Sequence, residues 1–370
     1  MKNNALVLCA LAFALAGVAT ASREDGRLDI YWVDVEGGAA TLIVSPTGES
    51  ILIDTGMPSR FRGSSGHNDP ARIFDALNRA GLKKIDHLIV THFHVDHFGG
   101  AAELASMIPI GRLYDFGIPE RNPDPDRRFD AAFLEWIKPY REMRVEARRT
   151  IKAGDVIRLE SAPGNPGLRL RCLAARQELV APSAGQAPNP LAPELQLKEA
   201  DASDNANSVA LLVEFGGFTF FSAADLTWNV EGRLVAPVDL IGPVDVFQVS
   251  HHGFDVSNNS ALVRSIEPAV TVMLNGTRKG CGPRTVALLK SLPSVRANYQ
   301  MHRSLVAGAD NTSDELIANQ EADCKANYIK LTVAADGASY QVSIPGLGHE
   351  REFQTRRGTS HGLESITRGY

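Results

Sequence analysis

Residues 92–97 read His92-Phe93-His94-Val95-Asp96-His97, which places four metal-ligating groups within six positions. Neutral imidazole and carboxylate are donors that zinc accepts, and ligands this dense leave room for two adjacent ions. The chain has ten histidines, and none lies between His97 and the adjacent pair His251 and His252. Asp225 closes another strand-like run. A lone histidine is more often structural, but a cluster in this register is built for chemistry. That chemistry is metal-assisted hydrolysis: zinc brings the pKa of a coordinated water from 15.7 to about 7, a hydroxide shared by two ions attacks, and Asp96 or Asp225 accepts the proton.

Such groups must be held at strand ends. His87-Leu88-Ile89-Val90 is a short apolar run of the kind found in buried strands, and a helix is expected at 100–107. Upstream, residues 28–56 form a three-strand meander ending in Ile53-Asp54-Thr55-Gly56. Asp69 and Pro70 are an N-cap and first-turn proline for a helix that stops at Gly81. A helical stretch over 127–149 is interrupted by Pro139, and its arginines at 141–149 are expected on a solvated face. Residues 181–203, rich in Pro, Ala and Gln, form a surface insertion that would be either a lid or a mobile segment. A hairpin over 208–223 leads to Asp225, and a buried strand at 244–249 leads to His251 and His252. A strand at 269–274, a helix at 285–292 and a hairpin over 328–344 follow, and residues 349–370 read as a flexible tail. The strands and helices alternate, so the fold class is α/β.

Composition narrows the partners. With 38 basic and 43 acidic residues, the chain carries a formal charge of −5 and no overall basic field for a nucleic-acid backbone. It also lacks a Lys/Arg run interleaved with aromatics, so nucleic acid is not the favoured substrate. Arg278, Lys279 and Arg284 form a small basic group that would either clamp a phosphate or solvate a loop. Lys2, the apolar stretch at 5–18 and Ala19-Thr20-Ala21 have the form of a secretory leader cleaved after residue 21. The mature protein, residues 22–370, would then be periplasmic or extracellular, with no membrane span. Cleavage leaves Cys172, Cys281 and Cys324. Either Cys281 pairs with Cys324, or all three are buried thiols.

The residues also carry a resemblance. Ile53-Asp54-Thr55-Gly56, residues 91–100, Ala224-Asp225-Leu226 and Ser250-His251-His252-Gly253 resemble the metallo-β-lactamase superfamily. Asp34-Val35-Glu36-Gly37-Gly38-Ala39 and the run from Asn205 resemble its ComEC-type branch, named for the hydrolase-like domain of a DNA-uptake competence protein. The resemblance implies a four-layer αββα sandwich over residues 22–348, carrying the Pro/Ala-rich insertion. It also implies two zinc ions, the first on His92 and His94 and the second on Asp96 and His97, bridged by Asp225. One of His251 and His252 completes the second site, with His251 preferred, and Asp54 orients a ligand. The superfamily's third histidine on the first ion has no counterpart here, so Asn205, Asn207 or water fills that position and the first site binds more weakly. The branch's His-Pro pair is replaced by Gly282-Pro283, which leaves His302 as the candidate leaving-group acid. The branch favours a phosphodiester or small phosphoester. The competing readings are a lactamase or lactonase and a zinc-stabilised binding protein without turnover.

Overall fold

The structure, a computed structural model, describes residues 25–62, 68–161 and 163–356. The expected leader lies outside them. Among the described residues no helix is long and apolar enough to cross a membrane.

Two mixed sheets form the body. The first half of the chain supplies β1 Leu28–Trp32, β2 Thr41–Val44, β3 Ser50–Ile53, β4 Ile85–Ile89, β5 Ile110–Asp115 and β6 Ala147–Thr150. The second sheet follows with β7 Val156–Arg158, β8 Leu168–Ala175, β9 Glu178–Leu179, β10 Ala210–Phe215, β11 Phe218–Ser222, β12 Val246–Gln248, β13 Val270–Met273, β14 Ala297–His302 and β15 Ile317–Asn319. The chain then returns to the first sheet as β16 Ile329–Val333, β17 Ser339–Ile344 and β18 His349–Gln354. The spatial orders are β18-β17-β16-β1-β2-β3-β4-β5-β6 and β15-β14-β13-β12-β11-β10-β8-β7, with β9 on β8.

Alternation along the strands makes the layers. Leu211, Val213 and Phe215 of β10 point into the core shared with the first sheet, while Ala210 and Leu212 belong to the cluster on the outer face. Phe218 and Phe220 likewise face inward, and Phe221 outward. Trp32 meets Phe220 edge-on at 5.6 Å, and its indole N–H donates to Gln248 Oε1 at 2.9 Å, so the polar tip of a fully buried ring is satisfied across the sheets. Helices cover both outer faces. On the first sheet lie α1 Asp69–Arg79, which buries Ile73, Ala76 and Leu77, then α2 Val95–Phe98, α3 Ala101–Met107 and α4 Asp130–Glu142. On the second lie α5 Trp228–Arg233, α6 Ser260–Ile266 and α7 Pro283–Ser291. This is the αββα sandwich that the resemblance implied.

Several local expectations are corrected. The cap of α1 is Asn68, whose side chain accepts from Ala71 N, because Asp69 turns to accept from Met57 N at 2.8 Å. Pro139 sits inside α4 without ending it, and the arginine-rich stretch beyond is not helical, since residues 147–150 form β6, parallel to β5. Arg148 donates to the Tyr140 carbonyl at 2.6 Å, placing a cation at the carboxyl end of α4. The insertion is tied to α5 and α6: Asn189 Nδ2 donates to Ser265 Oγ at 2.8 Å, and Gln196 O accepts from Trp228 Nε1 at 2.7 Å. Sheet pairing runs past residue 348, because β18 completes six antiparallel pairs with β17. All three described cysteines are free thiols. Cys281 Sγ lies 3.2 Å from Gln300 Nε2 and Cys324 Sγ lies 3.1 Å from Asp34 Oδ2, so of the two alternatives the free thiols are observed, with Cys324 only partly buried.

Candidate metal centre

The strands β3 to β6 run parallel, as do β11 to β15, so their carboxyl ends gather on one edge of the sandwich. Asp54 follows β3, residues 91–97 follow β4, Asp225 follows β11, and His251 and His252 follow β12. The turns there are strained: Asp54, Ala224, His251 and His252 all have φ between 49° and 61°, a region L-residues seldom occupy. The strain is braced. Thr55 N donates to His97 O at 2.7 Å, and Gly100 packs so closely that a Cβ would stand 2.2 Å from Thr55 O. Asn258 holds the histidine pair by accepting from Ser250 N and donating to Ser250 O, both at 3.0 Å.

Hydrogen bonds on the far side of each ring fix where its proton sits. Thr91 Oγ1 spends its hydrogen on Asp54 Oδ2 at 2.7 Å, so at 3.1 Å it must accept from His92 Nδ1. His94 Nε2 donates to both oxygens of Asp124 at 3.1 Å. His97 Nδ1 donates to Asp54 Oδ2 at 2.8 Å, and His252 Nδ1 donates to the Leu274 carbonyl at 3.0 Å. The opposite nitrogens therefore carry lone pairs, and those lone pairs converge. His92 Nε2 and His94 Nδ1 stand 3.1 Å apart. His97 Nε2 and His252 Nε2 each lie 3.2 Å from Asp225 Oδ2 and 3.5 and 3.4 Å from Asp96 Oδ2. Both Nε2 atoms are buried without a hydrogen-bond partner. Nitrogen lone pairs aimed at carboxylate oxygens repel unless a cation lies between them, so the donor set fits a metal and is incomplete as a hydrogen-bond network.

The electrostatics show that the buried carboxylates demand positive charge among them: burial alone would lower His97, but Asp225, Asp96 and Asp54 hold it well above its ordinary value. Burial alone would raise the Asp225 carboxyl, but His252, His97 and His251 around it hold it well below the usual range. Asp96 is also held well below its ordinary value, against its burial, by Lys279 and His97. His92 is pushed well down by burial and by the neighbouring His97 and His94.

The expected residues divide as follows. His92, His97 and Asp225 form one ligand group, and Asp96, His97 and His252 form another. Of the adjacent pair, His252 faces both carboxylates, whereas His251, the histidine preferred from the sequence, has its Nε2 3.6 Å from Asp225 and 3.4 Å from Asn205 Nδ2. Both residues have left-handed backbones, with φ of 51° and 53°, and their rings lie at 66° to each other. Asn205 therefore adjoins the site, with Oδ1 buried and unpartnered, while Asn207 instead donates to Asp204 Oδ1 at 3.0 Å. His302 is 1% exposed, donates from Nε2 to Asp34 Oδ1 at 2.7 Å, and groups with Asp34 and Cys324 outside both ligand sets. Asp124 was missed, and the Pro/Asp-rich turn around it gave no hint that it would reach His94. Asp204 was missed too; it accepts from Phe93 N at 2.6 Å and its own N–H donates to Asp124 Oδ1 at 2.9 Å.

With this geometry in place, the comparisons agree. Residues 33–161 match the family described as Metallo-beta-lactamase superfamily. The matched stretch includes Asp54 and the ligand run at 92–97, and it is similar to this superfamily. The chain is similar to ComE operon protein 3 of Bacillus subtilis (strain 168), at 24% identity over 280 residues, covering 73% of this chain and 31% of that protein. It is 28% identical over 245 residues to Recombination protein 2 of Haemophilus influenzae (strain ATCC 51907 / DSM 11121 / KW20 / Rd), covering 66% of this chain and 24% of that protein. The match thus spans less than a third of either relative. A UPF0173 metal-dependent hydrolase of Polynucleobacter asymbioticus (strain DSM 18221 / CIP 109841 / QLW-P1DMWA-1) is 35% identical over 101 residues, covering 27% of this chain and 32% of that protein.

Proposed function

We propose that this chain is an exported zinc hydrolase with two adjacent ion sites that acts on a phosphodiester or small phosphoester. The observation that carries the reading is the set of ring nitrogens whose protons are drawn outward, by Thr91, Asp124, Asp54 and the Leu274 carbonyl, leaving lone pairs directed at each other and at Asp96 and Asp225. In this reading His92 and His94 hold the first ion, Asp96, His97 and His252 the second, and Asp225 lies between them. Zinc bound there supplies Lewis acidity and brings a coordinated water's pKa to about 7.

The chain's own groups do the rest. Asp54, through Thr91 and His97, fixes ring orientation in both sites at once. Asp96 and Asp225 are the carboxylates placed to take the proton from water. His302 is not used, because its Nε2 proton is committed to Asp34. The phosphoester preference rests on the ComEC-type relatives and on a lysine beside Asp96. Export rests on the leader pattern of residues 1–21.

The test is hydrolysis of a chromogenic bis-aryl phosphodiester by the protein lacking residues 1–21, in zinc-loaded, chelator-stripped and His94→Ala forms. Turnover that follows zinc and vanishes in the variant is expected. Zinc demonstrably bound, with lactams or lactones turned over and phosphodiesters not, would replace the substrate class; zinc bound with no turnover of any of them would favour the binding-protein reading.

A further inference from the structure

The loop between β13 and α7 is fastened to the ligand-bearing segments on two sides. Cys281 N donates to His252 O at 3.1 Å and Gly282 N donates to Gly253 O at 2.7 Å. Gly280 (φ +76°) lies so close that a Cβ there would stand 1.9 Å from His252 O. On the opposite side Gly37 abuts Gly276, and Ala39 N donates to Asp96 O at 3.1 Å. The loop closes on itself through Gly276 N and Lys279 O at 3.0 Å. The backbone of Lys279 is thus held between the segment that carries Asp96 and the one that carries His252, and only its side chain is free to change direction.

That side chain is 32% exposed, and its ammonium pairs with Asp96 Oδ2. The same oxygen lies 3.5 Å from His97 Nε2 and 3.4 Å from His252 Nε2, so it is the atom that a cation held by those two rings would share. A compact ammonium and a divalent ion therefore seek the same oxygen. An ion there neutralises Asp96 and weakens its hold on the lysine. A partly exposed ammonium on a four-carbon stem, anchored beside the ligands, is then available to an anion at the site.

We propose that Lys279 is a specificity-determining counter-ion: it competes with the second divalent ion for Asp96 and, once displaced, binds an anionic oxygen of the substrate. The inference rests on the phosphoester reading for the identity of that anion, but not for the competition.

The experiment uses the metal-free protein lacking residues 1–21, as wild type, Lys279→Met and Lys279→Arg. Zinc is titrated against a chromophoric chelator, and inorganic phosphate is titrated calorimetrically into the zinc-loaded forms. The Met variant is expected to bind its second zinc about tenfold more tightly and phosphate about tenfold more weakly. The Arg variant should restore both towards wild type. Second-zinc affinity that is unchanged or reduced in Lys279→Met, as a merely bracing lysine would give, overturns the proposal. Equal phosphate affinity in wild type and the Met variant overturns the anion contact. Tighter zinc in the Met variant, with phosphate binding to neither, would reject the phosphoester reading and uphold the competition.

Discussion

Two buried groups of histidine and aspartate differ in the direction in which their protons point. Around Asp225 the ring protons leave the cluster, towards Asp54 and the Leu274 carbonyl, and the lone pairs remain inside. Around Asp34 the donors point inward: His302 Nε2 at 2.7 Å, Arg72 Nη1 at 3.0 Å and Cys324 Sγ at 3.1 Å all donate to its carboxylate. Arg72 also bridges to Glu36 at 3.0 Å, so this second group already contains its cation. Ligand types and proximity are shared, yet only the first arrangement calls for a metal. Proton direction, read from the partners on the far side of each ring, separates a metal centre from an ion-pair network.

The largest test of that contrast is Asp225→Asn, which removes the charge proposed to lie between the two ion sites. A fall in turnover of about a thousandfold or more is expected, with the thermal midpoint little changed in the zinc-free protein; retained turnover would mean that the Asp225 cluster is not the reaction centre. The matching change in the other group is Arg72→Met. It leaves Asp34 and Glu36 without their shared cation and should cost about 3–5 kcal/mol of stability by denaturant midpoint, while zinc stoichiometry stays the same. Zinc lost in parallel would merge the two groups into one site.

Glu231 belongs to neither group and sharpens the comparison as a buried acid on which burial outweighs every stabilising neighbour, Lys198 included. Burial pushes its carboxyl up from 4.5 to about 7; Oε2 accepts from Asn259 N at 2.8 Å and Oε1 has no partner. Below pH 4.5 it is protonated in both folded and unfolded chains and costs nothing. Between pH 4.5 and about 7 only the unfolded chain ionises, so stability falls as pH rises, and above that the penalty levels at about 3 kcal/mol. Glu231→Gln should therefore gain roughly that amount at pH 8 and nothing at pH 4, as measured by unfolding at both values. The smallest effect is expected from Asp124→Ala, which removes the acceptor behind His94 without touching a lone pair. Zinc affinity should fall about 10- to 100-fold with the second ion less affected, and an unchanged affinity would show that Asp124 does not orient the ring.

Much of this was legible in the sequence because it is local. The dense ligand run after an apolar strand, the Asp-Thr-Gly turn and the adjacent histidines each announce a strand end, and parallel topology brings the ends together. What depended on distant pairing was not legible. Asp124 reaches His94 across thirty positions, in a turn whose composition says only that it turns. That His252 and not His251 faces both carboxylates goes with two consecutive left-handed backbones, which no periodicity signals. The stretch at 147–150 carries charges that read as a solvated helix, yet sheet pairing with β5 decides its form, as tertiary context commonly overrides propensity. Cys281 and Cys324 sit in separate polar settings that spacing alone could not distinguish from a bridge.

The strand directions have one more consequence. β1 runs from Leu28 towards the edge that bears the ligands, and pairs antiparallel with β16; β16, β17 and β18 then alternate, so Gln354 lies at the far rim beside Ser339. The sheet strands nearest the two ends of the described residues, at Leu28 and Gln354, thus begin and finish on the side opposite the ligand-bearing edge. A support, reporter or neighbouring module attached beside Leu28 or Gln354 would leave the opposite rim open to incoming molecules, so immobilisation and fusion can be designed without shielding it.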